Sequence, residues 1–226
     1  MHYKPETIKK YLAIALHALA LAKNDPRTRV HITKGNKKIG HTWNVSLLPI
    51  VTCGNCKECK KYCYDIKSCM MYANVIECRA ENTAMMQADM RRYFEDIAAF
   101  IDSRRSNRFF RWHVAGDIVN ARYFDYMVKI AKYRPGWTFW TYTKRYDIVN
   151  AYASKHMIPR NLHIMFSKWE GVRMDNPHNF PEFRVRMEGM SEEGFKGLWK
   201  CPGNCDICKA AHRGCVASET SYVDEH

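Results

Sequence analysis

This 226-residue chain has no uninterrupted apolar run of the roughly 18 residues that a membrane span requires, which excludes a helical membrane protein. It has no phosphate-cradling glycine loop, no His-Glu-x-x-His pair and no Ser-His-Asp order, so the common marks of nucleotide hydrolysis, zinc proteolysis and acyl transfer are missing. Internal repeats and low-complexity linkers are missing too. Acid is scarce: 23 Asp and Glu stand against 36 Lys and Arg, a formal net charge of +13. The chain has ten cysteines, yet none lies between residues 79 and 200.

What is present suits one folded domain over residues 1–226. Hydrophobic residues make up 46% and aromatics 13%, enough to build a core and too much for a disordered tail. The nearest thing to an apolar run, residues 11–22, follows lysines and mimics a signal peptide. Its periodicity says otherwise. Ile8, Leu12, Ala15, Leu16 and Leu19 form one helical stripe, while Lys9, Lys10, Ala13, His17 and Ala20 take the other face. Lys23 and then Asn24-Asp25-Pro26 end the helix. An amphipathic first helix points to a reducing, cytoplasmic setting.

In that setting ten cysteines call for an explanation other than disulfides. Six lie between Cys53 and Cys78, and four between Cys201 and Cys215. The first group reads Cys53-x2-Cys56-x2-Cys59-x3-Cys63, and the second Cys201-x3-Cys205-x2-Cys208 followed by Cys215. Thiolates two or three residues apart converge on one metal when a tight turn aims them inward, and Pro202-Gly203 supplies such a turn. Cys69 and Cys78 read as plain buried residues. Each set holds enough sulfur for its own metal, or the two share one. Spacing alone does not separate one or two four-iron clusters from zinc.

The basic surplus has three readings. It is a solvated surface, a nucleic acid or other polyanion contact through the basic helical segment 1–40, or compensation for negatively charged thiolate clusters. Lys57, Lys60, Lys61 and Lys67 lie among the first cysteines, and Lys200, Lys209 and Arg213 around the second.

The middle of the chain is regular. Val30-His31-Ile32 reads as a short strand, residues 43–50 as a buried one, and residues 74–104 as a helix. Strands over 108–114, 137–143 and 162–167 alternate with helices over 123–133 and 147–156. That order implies right-handed crossovers and a parallel α/β sheet, open or a partial barrel, with helices outside and cysteine-rich metal-binding loops. Residues 180–226 read as an irregular cysteine-rich tail packed on the core. In parallel sheets the ligand crevice lies at the carboxyl ends of the strands. His113 and Asp117, then Thr141, Thr143 and Lys144, then Ser167, Lys168 and Trp169 all fall there, and the first cysteine loop is delivered to the same edge. His113, Asp117 and Lys144 are candidates for chemistry, and Thr143, Ser167 and Trp169 for holding a cofactor. The alternatives are a hydrogen-bonded core histidine, a helix-capping aspartate and a solvated lysine.

Several separated motifs resemble the gene product 88-like family of phages and plasmids. They are Asn44-Val45-Ser46-Leu47-Leu48-Pro49 leading to Cys63-Tyr64, and the run Arg111-Trp112-His113-Val114-Ala115-Gly116-Asp117. Tyr142-Thr143-Lys144, Asn161-Leu162, Ser167-Lys168-Trp169, Cys201-Pro202-Gly203-Asn204-Cys205 and the final Asp224-Glu225-His226 follow in order. The resemblance spans roughly residues 40–226 and implies a phage-encoded protein of a bacterial cytoplasm with an iron–sulfur cluster. Cys201, Cys205 and Cys208 also resemble the three-cysteine motif of radical S-adenosylmethionine enzymes, in which one iron stays open for that cofactor. Here the motif lies late, Ile207 replaces the usual aromatic, and Cys215 is available as a fourth ligand. The expectation is an iron–sulfur protein of redox or radical type; the alternative is a zinc-stabilised nucleic-acid-binding module.

Overall fold

A computed structural model describes residues 2–37, 39–54, 56–169 and 172–224. Lys38 of the basic segment and the terminal Glu225-His226 of the family motif lie outside the described residues. Seven strands form one sheet: β1 (Trp43–Val45), β2 (Phe109–Trp112), β3 (Thr138–Thr143), β4 (Leu162–Lys168), β5 (Glu182–Arg186), β6 (Trp199–Lys200) and β7 (Ser221–Asp224). Their order is β1-β2-β3-β4-β5-β7-β6, and every pairing is parallel. The helices are α1 (Pro5–Asn24), α2 (Tyr64–Met71), α3 (Ala73–Ala88), α4 (Met90–Asp102), α5 (Ala121–Lys132), α6 (Tyr146–Ala153) and α7 (Cys205–Ala211). Among the described residues no helix is long and apolar enough to cross a membrane.

The first five strands lie in chain order, so successive crossovers step the same way across the sheet. Right-handed crossovers then put their helices on one side. The core confirms it. Phe110, Trp112, Phe139, Ile164 and Phe166 pack with Phe94 and Ile97 of α4, Phe124 and Met127 of α5, and Val149 of α6. The opposite face carries Asn44, Arg111, Trp140 and His163 as one row across β1 to β4. Crossover helices do not cover it. Trp140 and Met165 instead pack with Cys215, Tyr142, Phe183, Cys205 and Val216.

Residues 180–226 therefore are not irregular. They supply three strands, α7 and a 3-10 turn over Gly214–Ala217. β6 and β7 are too short to show a period, and β5, although Phe183 and Val185 alternate with Glu182, Arg184 and Arg186, is only five residues long; pairing with their neighbours supplies the order. Two other readings change. The helix expected over 74–104 is broken at Asp89, whose side chain accepts from the Arg92 N–H and starts α4 afresh. The strand expected over 43–50 stops at Val45, and the strand expected at Val30–Ile32 is reduced to a bridge between Thr33 and Asn44.

Helix α1 packs on α2 and α3 around Leu48 and Ile66, apart from the main core. Its buried stripe is Ile8, Tyr11, Ala15, Leu19 and Ala22, whereas Leu16 stays 54% exposed. Tyr11 wins the inner position because its hydroxyl reaches the Pro49 carbonyl at 2.9 Å.

Asn161, just before β4, has its amide nitrogen 3.0 Å from the Ala131 carbonyl, 2.9 Å from that of Arg134 and 2.9 Å from that of Trp137. One side chain thus ties the end of α5, the turn and the start of β3 to β4. Asn161→Ala is expected to cost about 2 kcal/mol by leaving these carbonyls short of a donor, read as a lower urea midpoint with unchanged slope.

Candidate metal centres

The end of β1 is anchored by Leu47 N–H to the Ala115 carbonyl, and Leu48 N–H then meets Thr83 Oγ1 at 3.0 Å. From there the chain enters the first cysteine loop, a 3-10 turn over Cys59–Tyr62, and α2. Burial pushes the Cys53 thiol well up, with Asp117, Cys56 and Cys63 adding to it. Burial and then Cys59 raise Cys56, and burial brings Cys63 up to about 11, with Asp65 and Cys59 contributing. The four sulfurs are thus electrostatic neighbours at the carboxyl edge, beside the loops that follow β2 and β3. A cleft of about 560 Å³ opens next to Cys53, walled by Thr52, Met86, Asp89, Val119 and Asn120.

The second set is built differently. β6 aligns beside β7, and Cys201 N–H donates to the Tyr222 carbonyl at 2.7 Å. Gly203 takes the left-handed turn at φ 72°, and Asn204 caps α7 by accepting from Asp206 N–H. At Gly214 (φ 64°) a side chain would meet the Trp199 ring at 2.8 Å, so glycine is required for Cys215 to fold back. Lys209 Nζ donates to the His41 carbonyl and to Thr42 Oγ1, and Asp206 accepts from His41 N–H, which pins α7 over the face near β1. Burial raises Cys205, with Cys201 and Cys208 contributing, and burial raises Cys208, with Cys201 contributing. Burial also pushes Cys215 up to about 12, with Cys201 and Cys205 beside it. These four sulfurs are neighbours of one another and lie on the face of the sheet. The first loop thus follows the end of β1 at the carboxyl edge, while Cys205 and Cys215 of the second set pack on the sheet face with Trp140 and Met165.

All ten cysteines are free thiols. Among the described residues no three or more His, Cys, Asp or Glu side chains form a ready-made metal shell. Neutral thiols have no reason to converge, since a metal must first displace their protons. The surroundings of the second set nevertheless fit a thiolate-bound metal. The Tyr142 hydroxyl lies 2.7 Å from Cys215 Sγ, and Trp199 Nε1 donates to Cys208 Sγ at 3.4 Å. Arg111 stacks its guanidinium 4.7 Å from the Tyr142 ring centre, and its Nε is buried without a partner. Cys69 is buried and donates to Asp65 at 3.5 Å, apart from either role.

The polar strand ends form a bonded network. Asp117 does not cap α5, because Asn120 does so by accepting from Tyr123 N–H. Asp117 instead accepts from Ile118 N–H (2.7 Å), Thr143 Oγ1 (2.6 Å) and Lys144 N–H (3.0 Å), although burial raises its pKa. Lys144 Nζ donates to Ser167 Oγ at 3.1 Å and sits 5.3 Å from the centre of Trp169, which donates to the same Ser167 oxygen at 3.2 Å. Lys144 also bears on Cys56. His113 leaves the strand alternation at φ 56°, turning its ring to the Tyr123 hydroxyl at 2.9 Å and Thr141 Oγ1 at 3.4 Å on the helix side. It is a core histidine away from both cysteine sets.

The model of the gene product 88 family matches residues 19–187. The chain belongs to the gene product 88 family. The matched part holds the first cysteine set and the polar ends of β1 to β4, and stops before Cys201. No curated protein and no solved structure matches the chain. Within this family member, sequence reading missed Arg111, Tyr142 and Trp199. An arginine in the middle of an aromatic strand was the available signal, passed over because alternation alone assigns it to solvent.

Burial, with the Arg111 charge adding to it, lowers His113 to about 3 from an ordinary 6.5. The unfolded chain then takes the proton first as pH falls. The stability that rests on the neutral ring is complete above about 6.5 and drains away towards pH 3, at about 1.4 kcal/mol per unit. His113→Asn, which tolerates the positive φ, is expected to flatten that slope between pH 6.5 and 4.5 in urea unfolding, while a slope equal to the parent's would contradict the assignment.

Proposed function

We propose that this phage-type protein binds iron–sulfur clusters and works in redox or radical-type chemistry in a bacterial cytoplasm. One site uses Cys201, Cys205, Cys208 and Cys215, and a second uses Cys53, Cys56, Cys59 and Cys63. The observation that carries the reading is that the thiols influence one another within two sets, Cys53 to Cys63 and Cys201 to Cys215, in different parts of the fold; Cys78 has no other thiol beside it, and Cys69, near Cys63, gives its hydrogen to Asp65. All-sulfur donor sets select soft metals, iron in clusters or zinc. A cluster would supply one-electron chemistry. The chain's own contribution at the first site is Lys144, Ser167, Trp169 and Thr143, held together beside Cys56, and a cleft beside Cys53 able to admit a small molecule such as S-adenosylmethionine. Asp117 positions this edge by locking the loop after β2 to the end of β3.

Anaerobic purification is expected to yield a brown protein with iron and acid-labile sulfide in equal amounts and an electron paramagnetic signal after reduction. Cys205→Ser with Cys208→Ser should remove one share of the iron and Cys56→Ser with Cys59→Ser the other, whereas Cys69→Ser should remove none. A colourless protein carrying zinc, with nucleic acid affinity falling steeply with salt, would replace this reading by the zinc-stabilised module.

A further inference from the structure

Arg111 is out of place by ordinary rules. It sits in β2, the strand next to the β1 edge, between Phe110 and Trp112, on the face where Cys205 and Cys215 pack. Among the described residues no carboxylate pairs with it, although Arg79, Arg134, Arg145, Arg186 and Arg213 each have one. Its Nε is sealed from solvent without an acceptor. Its neighbours are the Tyr142 ring below it, Tyr64 beside it, and the sulfurs of Cys205 and Cys215. The residue as a whole keeps part of its surface in contact with water, but the sealed Nε has given up its water without gaining an acceptor, and tyrosine and thiol groups are neutral at pH 7.

The groups within reach that can become anionic and stay so are the cysteines. Metal binding converts thiols to thiolates outright, and a four-iron cluster on four thiolates carries about −2. We propose that Arg111 is the internal counter-ion of the Cys201, Cys205, Cys208 and Cys215 set, so that loading this site and neutralising Arg111 are one event. This rests on the metal-binding reading above and adds which residue makes that site selective for its charged state. Tyr142 is the companion positioning residue. Its ring carries the guanidinium and its hydroxyl holds Cys215, so that charge and ligand stay in register. Arg111 acts on the ligands, not on a substrate, and is a positioning residue.

The test compares parent, Arg111→Met, Arg111→Gln and Arg111→Lys as full-length chains, both anaerobically loaded with iron and sulfide and chelator-treated. The readouts are iron retained at the second set against a competing chelator, the reduction potential of its cluster, and the urea midpoint. Arg111→Met is expected not to lower the midpoint of the metal-free protein, since it removes a sealed donor that has no acceptor there. It should weaken iron retention at the second set about tenfold or more. The cluster potential should fall, because a nearby positive charge favours the reduced, more negative state. Arg111→Lys should hold the potential near the parent's, and Arg111→Gln should give the neutral result if the Met variant does not fold. Unchanged retention and potential in a neutral variant that still binds iron would overturn the counter-ion role alone. A parent that takes up neither iron nor zinc at Cys201–Cys215 would overturn the metal reading, and this inference with it.

Discussion

One constraint organises the molecule: a parallel sheet wound in a single direction keeps its crossover helices on one side. Five strands in chain order place α4, α5 and α6 together, and Trp112, Phe139 and Phe166 are buried beneath them. The other face, with Trp140 and Met165, would be open to water. Parallel sheets are not stable half-covered, so the chain must return to close it. The segment after β4 does so, adding β5, β7 and β6 at the edge and laying α7 and Cys215 across the face. Covering the sheet and assembling a four-cysteine set are therefore the same act of folding.

That coupling explains why the two cysteine sets differ in setting. The first arrives on a loop at the carboxyl edge, where the winding rule also gathers Asp117, Thr143, Lys144 and Ser167. It borders a cleft and faces polar groups. In the second, Cys208 and Cys215 are buried and Cys201 and Cys205 partly so, with the Tyr142 hydroxyl at Cys215, the Trp199 N–H at Cys208 and Arg111 stacked on Tyr142. An edge site beside a cleft suits contact with a small molecule. A site under a helix suits holding the fold and setting the charge of the face.

Electrostatics follows the same division. Several ion pairs of the basic residues, such as Arg27 with Asp25, Arg91 with Glu95 and Lys129 with Asp125, are exposed and individually weak. Arg111 differs: it is half-buried on the sheet, its Nε is sealed, and among the described residues no carboxylate pairs with it.

The sequence alone was enough for the α/β class, the three strands β2 to β4, helices α5 and α6, and the core face of α4 though not its start, because aromatic alternation and the helical period of Tyr93, Phe94, Ile97 and Ile101 are local properties. Tertiary structure alone decided the rest. Whether His113 faced a site or the core turned on one positive φ, and whether Asp117 capped a helix turned on Asn120 three residues later. Arg111 alternates with core residues along its strand, and only the fold sets its guanidinium on the Tyr142 ring and seals its Nε. Burial and charge compensation are properties of what lies opposite a residue, and the order of residues along the chain does not record that.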